Sequence, residues 1–296
     1  MGDVIVVREK APKLLDKKLL PYYHGRNRTF GNLGHCALQG GLLPLILSLE
    51  NISRDFNGVR ALDCVDCNVH KGQIHGLIGP NGSGKSTLFN VITGVYPATT
   101  GKIVFEDCVI SGLKPYVIAR LGISRTFQRG FVAPTMTCLE NVMCGAHARS
   151  RFDGFGTFLR LPFTASRQES AIRKHAVECL HFVGLGGFED RWAGGLVWIE
   201  RQLLQLARAL VAEPRLMLLD EPTAGMGADE SERVAQMIRR IVGMGITAIV
   251  VSHDMNLIVR LADWITVLNY GQKICEGPPE AVRQDAQVLE AYVGRE

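Results

Sequence analysis

A glycine-rich segment between two periodic patterns constrains this chain more than any other feature. Residues 79–87 read Gly-Pro-Asn-Gly-Ser-Gly-Lys-Ser-Thr, which is a glycine, four residues and then Gly-Lys-Ser. The apolar run 74–78 predicts a buried strand before it, and 85–91 predict a helix after it. Glycines let the backbone wrap around phosphate oxygens, so that successive N–H groups bind an anion at the positive end of the helix. We therefore expect a strand, a phosphate-binding loop and a helix, in that order.

The side chains of this loop predict a nucleotide phosphate as its ligand. Lys85 would bring a mobile ammonium group to the β- and γ-phosphates, and the Ser86 hydroxyl can ligate Mg²⁺. A flexible glycine turn with a surface lysine is the alternative, and the flanking strand and helix patterns disfavour it. The loop alone does not separate ATPases, GTPases and small-molecule kinases. The other residues of the predicted cradle are Gly79, Asn81, Gly82, Ser83, Gly84 and Thr87.

A second apolar run ends in two neighbouring carboxylates. Residues 216–219 are Leu-Met-Leu-Leu, and Asp220 and Glu221 follow directly. Such a strand would deliver Asp220 to a metal ion and its water, and Glu221 to the place where water attacks. Two adjacent carboxylates at a strand end are costly unless they share a cation or a proton. A structural pair that caps the next helix is the alternative. GTPases read guanine with Asn-Lys-x-Asp, and that pattern does not occur here.

Composition and charge narrow the class of protein. Of the 296 residues 47% are hydrophobic and 21% charged, which excludes a mostly disordered chain. No apolar run reaches the roughly 18–20 residues that cross a bilayer, so we expect a soluble chain or one held at a membrane by a partner. Residues 1–45 carry seven Lys and Arg against three acidic residues, and the remainder is balanced. A neutral body disfavours nucleic acid as the main partner.

The eight cysteines are scattered along the chain. Only Cys64 and Cys67 lie close together, and residues three apart point to opposite faces of a strand, so they make a poor metal clip. We therefore expect free, reduced thiols in a cytosolic setting.

Periodicity predicts an α/β chain with a helical insertion. Strand-like runs occur at 47–50, 61–69, 103–105, 216–219, 246–251 and 264–268, and plausible helices separate the later ones. Alternating strands and helices around short buried strands indicate a mainly parallel sheet. Residues 138–212 are mostly helical in pattern and look inserted into that sheet. Residues 1–45 have no clean period and are interpreted as an extension outside the main domain.

With these motifs in place, residues 47–296 resemble the ATP-binding cassette (ABC) family. The resemblance implies a P-loop (RecA-like) core with a mainly parallel sheet, a small antiparallel β subdomain and an inserted helical subdomain at about 129–212. The ATPase domain would span 46–296, after a basic N-terminal extension at 1–45. ATP and Mg²⁺ would be the cofactors.

The resemblance also assigns roles to single residues. Gln128, after Phe127, looks like the Q-loop glutamine that touches Mg²⁺ and the attacking water and senses the membrane partner. His253, in Ser-His-Asp after a strand, would contact the γ-phosphate, and Phe56 would stack on adenine. Taken singly, a buried glutamine or a strand-end histidine is more often structural. The functional interpretation rests on their occurring in the order and context that the family shows. The catalytic set would be Glu221, His253, Lys85 and Gln128, and the metal ligands Ser86, Gln128 and Asp220.

One segment departs from the family pattern. Two cassettes pair head to tail in this family, and the partner's signature loop, usually Leu-Ser-Gly-Gly-Gln, closes each ATP. Here the corresponding residues are Leu196-Val197-Trp198-Ile199-Glu200, which lack the hydroxyl and the glycines and add a negative charge. The loop 224–227 also lacks its usual acid. A heterodimer in which a partner supplies an intact signature is therefore predicted, although backbone N–H groups alone could still bind phosphate and a homodimer stays open.

Several stretches resemble the ATP-binding subunits of branched-chain amino acid importers: 122–128, 139–142, 145–147, 221–226 and 291–294. Importers of urea and short amides look alike, so they stay an alternative. A soluble cassette ATPase acting on DNA or ribosomes is less favoured. Such proteins usually carry a long coiled coil or two cassettes in one chain, and this sequence shows the pattern of neither. The resemblance implies two membrane permeases, a second cassette and, indirectly, a solute-binding protein as partners, at the cytoplasmic face of the plasma membrane. The basic segment 1–45 is either a mobile tail or a contact to anionic headgroups or the permease.

Overall fold

The structure, a computed structural model, describes residues 44–126, 132–146 and 162–293. Its strands in chain order are β1 (Leu45–Phe56), β2 (Val59–His70), β3 (Ile74–Ile78), β4 (Thr100–Phe105), β5 (Cys108–Val109), β6 (Ile123–Arg125), β7 (Leu216–Asp220), β8 (Thr247–Val251), β9 (Trp264–Asn269) and β10 (Gln272–Gly277). Its helices are α1 (Lys85–Ile92), α2 (Pro115–Arg120), α3 (Cys138–Gly145), α4 (Pro162–Phe182), α5 (Trp198–Leu210), α6 (Ala228–Val242), α7 (Met255–Leu261), α8 (Pro279–Gln284) and α9 (Ala286–Val293).

The larger sheet confirms the predicted fold class. Its order is β10-β9-β3-β8-β7-β6, and every neighbouring pair is parallel except β10 with β9. Strands β3, β7 and β8 are buried along their whole length. Such strands read as continuous apolar runs because helices or other layers cover both faces. Strand direction therefore places the carboxyl ends of β3, β7 and β8 at one edge.

A second, antiparallel sheet has the order β2-β1-β4-β5. Strands β1 and β2 are longer than the predicted runs 47–50 and 61–69, and they form one hairpin in which Phe56 pairs with Val59. Asn57 and Gly58 connect them with φ of 45° and 89°. Two central residues with positive φ give a turn whose twist matches the strands, and Asn-Gly is its preferred sequence.

Alternate residues of the parallel strands enter two different hydrophobic cores. Leu216 and Leu218 of β7 pack with β1, β2, β4 and α1, between the two sheets. Met217 and Leu219, on the opposite face, pack with residues of α3 to α7. This alternation follows from the period of two in a strand. The core between the sheets holds the hairpin β1–β2 close to the phosphate loop.

The helical region lies on the second core. Helices α3, α4 and α5 contact one another, and α3 begins with a capping box in which Thr137 and Glu140 satisfy each other's backbone N–H groups. In the described part of 138–212, the predicted helical pattern thus corresponds to the α-helices α3, α4 and α5. The subdomain boundary at about 129 lies outside the described residues and stays a prediction, as does the extension 1–45, of which the structure describes only Pro44 and Leu45.

Two further findings concern the chain as a whole. Within the described ranges, no helix combines the length and the hydropathy that crossing a bilayer requires. The seven cysteines in the same ranges are free thiols, of which Cys64 is exposed and Cys67 buried. This difference agrees with their position on opposite faces of β2.

Candidate nucleotide site

The segment 79–84 forms a tight loop between β3 and α1. Gly79 and Gly84 have φ of 150° and 101°, and α1 begins at Lys85. A Cβ on Gly79 would lie 2.0 Å from the Leu268 carbonyl oxygen, and one on Gly84 would lie 2.8 Å from the Ala61 carbonyl oxygen. Both positions therefore require glycine, because a side chain would collide with backbone of β9 or β2. Asn81, Gly82 and Ser86 are exposed on this loop.

Lys85 turns its ammonium group into the loop. Its Nζ donates to the Gly79 and Pro80 carbonyl oxygens at 2.7 and 2.8 Å. Burial lowers the pKa of Lys85, while the nearby carboxylates of Glu221 and Asp220 raise it. The loop thus concentrates a cation and several backbone N–H groups, the arrangement that a polyphosphate needs.

Asp220 ends β7, and only one of its two carboxylate oxygens has a hydrogen-bond partner among the described residues. Its Oδ2 lies 3.0 Å from Arg125 Nη2, and the side chains of Arg125 and Asp220 are only 10% and 3% exposed. Among the described residues, no group donates to the buried Oδ1. Burial raises the pKa of Asp220, and the Arg125 guanidinium partly opposes that shift. A carboxylate oxygen to which no described residue donates, at a strand end with two acidic residues, fits a hard divalent cation, for which the exposed Ser86 hydroxyl would be a second oxygen ligand.

Arg125 is the site residue that sequence reasoning missed. It ends β6, and its Nη1 also donates to Asn90 Oδ1 at 2.6 Å, so it connects β6, β7 and α1. The available signal was an arginine after the short segment Gly122-Ile123-Ser124, three positions before Gln128. Phe127 and Gln128 themselves lie outside the described residues, and their roles stay predictions.

The structure brings Glu221 and His253 together. Both follow parallel strands, β7 and β8, and Glu221 N donates to the Val251 carbonyl at 2.9 Å. His253 Nδ1 lies 3.3 Å from Glu221 Oε1, and the histidine side chain is 60% exposed. Asp254, in contrast, caps α7 by accepting from Leu257 N at 3.1 Å. A carboxylate and an accessible imidazole in contact can orient a water molecule and hold its proton.

Phe56 lies at the end of β1 in a small aromatic cluster. Its ring meets Tyr96 edge-on with centroids 5.2 Å apart, and the Arg54 guanidinium lies 4.4 Å from its centroid. The guanidinium covers part of the ring, an arrangement that the sequence pattern did not indicate. The same hairpin approaches the loop through β2, where the Ala61 carbonyl oxygen lies against Gly84.

The segment that departs from the family signature begins α5. Val197 is the N-cap residue and contributes no side-chain acceptor. Glu200 Oε2 instead accepts from Val197 N at 3.0 Å, which is half of a capping box. A carboxylate thus already lies at the helix end where the family pattern places a phosphate. Arg201 Nε fixes the preceding loop by donating to the Leu196 carbonyl at 2.9 Å.

The last helix reaches the phosphate loop. Burial raises the pKa of Tyr292 in α9, and a hydrogen bond from the Gly79 backbone opposes the shift. The resemblance of residues 291–294 to importer subunits does not indicate this contact.

Comparison with known proteins identifies the family. The model of the ABC transporter family matches residues 62–224, more than half of the chain. A second model, described as branched-chain amino acid ATP-binding cassette transporter, matches 272–296. The chain therefore belongs to the ABC transporter family and is an ATP-binding cassette, as the motifs indicated.

Relatives and solved structures agree with that assignment. High-affinity branched-chain amino acid transport ATP-binding proteins, BraF of Pseudomonas aeruginosa and LivG of Escherichia coli K12, are each 33% identical over 84% of this chain and 98% of their own length. The ADP conformation of an ABC transporter cassette superposes with a TM-score of 0.75 at 33% identity, covering 85% of this chain and all of that one. A dimeric cassette bound to ADP and Pi gives 0.66 at 26% identity, covering 79% and 99%.

Proposed function

We propose that this chain is the ATP-binding and hydrolysing subunit of an importer of branched-chain amino acids. The observation that carries the proposal is the convergence of three features at one sheet edge: the phosphate loop with Lys85, the Asp220 oxygen to which no described residue donates, and the contact between Glu221 and His253. The relatives named for branched-chain amino acid transport, and the match at 272–296, support the choice of solute.

The residues divide the hydrolysis of ATP among them. Lys85 and the backbone N–H groups of 79–84 bind the β- and γ-phosphates, while Phe56 offers a ring for adenine. Ser86 and Asp220 would hold Mg²⁺, which would supply positive charge against the charge that develops on the transferred phosphoryl group. Glu221 orients the attacking water and accepts its proton, and His253 holds the Glu221 carboxylate and reaches the γ-phosphate. Catalysis then rests on positioning and electrostatics.

A second cassette is the first proposed partner. The solved relative that is dimeric with ADP and Pi supports pairing. Because Val197 has no hydroxyl and Glu200 occupies the α5 N-terminus, this chain offers a weak surface to a partner's ATP. We therefore favour a heterodimer in which the partner contributes an intact signature to the site built on Lys85 and Glu221.

Membrane permeases are the second proposed partner. An apolar cavity of about 710 Å³ opens between α2, β6, α3 and α5, and its described lining includes Ile118, Ile123, Cys144 and Ala209. A short permease helix could bury apolar side chains there. Cys144 is exposed, so a crosslinker on this thiol should capture a permease in the assembled complex, whereas one on the exposed Cys108 of β5 should not. The chain would then lie at the cytoplasmic face of the membrane, peripherally bound.

Reconstitution of the complex tests the function. Uptake of labelled leucine, isoleucine and valine should require ATP and should exceed uptake of urea or acetamide. Glu221→Gln should reduce ATP hydrolysis by at least a hundred-fold, since one positioned base contributes about 10²–10⁴-fold. Glu280→Gln, an exposed change in α8, is the matched control and should leave hydrolysis intact. Uptake of urea in preference to leucine would establish the alternative solute, and wild-type turnover in Glu221→Gln would refute the site.

A further inference from the structure

Trp198 joins the N-terminal end of α5 to the loop that follows β7. Its indole Nε1–H donates to the Ala224 carbonyl oxygen at 3.0 Å. Ala224 lies three residues after Glu221 in the same loop. Trp198 stands where the family pattern has glycine. Its side chain is therefore in direct contact with the loop that carries Glu221, the proposed water-orienting residue.

That segment holds Glu221 in a conformation that side chains rarely adopt. Glu221 has φ of 47°, in the left-handed region. Such a conformation persists only where the surroundings fix it. Glu221 N donates to the Val251 carbonyl at 2.9 Å, and Ala224 N donates to the Glu221 carbonyl at 3.1 Å. The indole bond fixes the carbonyl side of Ala224, so the turn 221–224 is tied to β8 at one end and to α5 at the other.

We propose that Trp198 is a positioning residue for Glu221. By holding the Ala224 carbonyl, its indole keeps the turn 221–224 closed and the Glu221 carboxylate beside His253. If a partner subunit displaces α5, the hydrogen bond between Trp198 and Ala224 then shifts the turn and with it the Glu221 carboxylate. The effect on catalysis rests on the proposed function of Glu221. The hydrogen bond from Trp198 to Ala224, called the tether below, does not depend on that function.

Hydrogen–deuterium exchange on the purified full-length chain tests the tether directly. Trp198→Phe removes the indole N–H and keeps an aromatic ring. Amides of 221–227 should exchange roughly three- to ten-fold faster in this variant, the equilibrium factor that one hydrogen bond contributes. Trp192→Phe is the matched control, because Trp192 is 61% exposed and six residues upstream, and it should leave these amides unchanged. Trp198→Leu, which has no side-chain hydrogen-bond donor, replaces the first variant if that one unfolds.

Kinetics of the assembled complex supply the second readout. Trp198→Phe should lower kcat about three- to ten-fold and leave KM for ATP within two-fold of wild type, since the phosphate loop is untouched. Equal exchange at 221–227 in Trp198→Phe and wild type would overturn the proposal, even with a lowered kcat, because Trp198 would then act on the partner's nucleotide. If the wild-type complex hydrolyses no ATP, the proposed function fails, and the exchange comparison still decides the tether.

Discussion

Replacing Arg125 by methionine should destabilise the chain in a way that grows with pH. The guanidinium is paired with Asp220 at 3.0 Å, and both side chains are nearly inaccessible to solvent. Removing one partner of a buried pair costs about 3–5 kcal/mol, because the other charge stays buried without compensation. Methionine fills much of the volume of the arginine stem, so lost packing adds little.

Protonation of Asp220 limits that cost. Burial already raises the pKa of this carboxyl group, and without Arg125 it would rise further. The loss of stability cannot exceed the free energy of protonating an ordinary aspartic acid, because the buried carboxyl group can always take up a proton. That free energy is 1.36 kcal/mol for each pH unit above 3.9, or about 4 kcal/mol at pH 7 and about 1.5 kcal/mol at pH 5. A carboxyl group with a raised folded pKa favours the native state at low pH, and that contribution is lost as pH rises. We therefore expect a loss of about 3 kcal/mol at pH 7 that shrinks below about 1.5 kcal/mol at pH 5.

Urea denaturation at both pH values measures this loss, with an unchanged m-value as the sign of an unchanged denatured state. Adding Asp220→Asn to Arg125→Met removes the buried carboxylate and should restore most of the free energy of unfolding at pH 7. A loss below 1 kcal/mol at pH 7, or one that is the same at pH 5, would show that Arg125 does not compensate the charge of Asp220.

Three further predictions follow from the surroundings of single residues: two substitutions and one labelling experiment. Burial lowers the pKa of His75 to about 3. Because only the unfolded state then gains the proton, the wild type should lose about 2 kcal/mol of stability between pH 7 and pH 5. Denaturation curves of His75→Gln should not show this loss. Glu200→Gln takes the charge from the cap of Val197 and should raise ATP hydrolysis by the assembled complex several-fold, measured as phosphate release. Iodoacetamide should label the exposed Cys64 within minutes but the buried Cys67, whose pKa burial raises to about 12, only after unfolding, as peptide mass spectrometry would show.

The parts of the site that sequence predicted are those whose chemistry is local. The strand, glycine loop and helix around Lys85 occupy adjacent positions, so one pattern fixes their geometry. Asp220 and Glu221 follow an apolar run directly, and His253 follows another. Parallel strands bring such carboxyl ends to one edge of a sheet, which is why separate strand ends met in one site.

The parts that sequence did not predict depend on distant partners. Arg125 meets Asp220 across two neighbouring strands, yet β6 has only three residues and leaves a weak periodic signal. Trp198 reads as a substituted signature residue, and nothing in its neighbours indicates a bond to Ala224. The Asn57-Gly58 turn is a different case, since it is a strong hairpin signal that joins two strands predicted separately.

The buried charges of the site favour a ligand that carries both positive and negative charge. Burial shifts Lys85 and Asp220 in opposite directions, lowering the first pKa and raising the second, so the fold disfavours the charged form of each. A polyphosphate compensates the ammonium group but places more negative charge near Asp220 and Glu221. A divalent cation compensates the carboxylate but opposes Lys85. Arg125 already compensates part of the Asp220 charge, and a nucleotide bound together with a divalent cation would compensate Lys85 and the remaining carboxylate charge at once, as the proposed function requires.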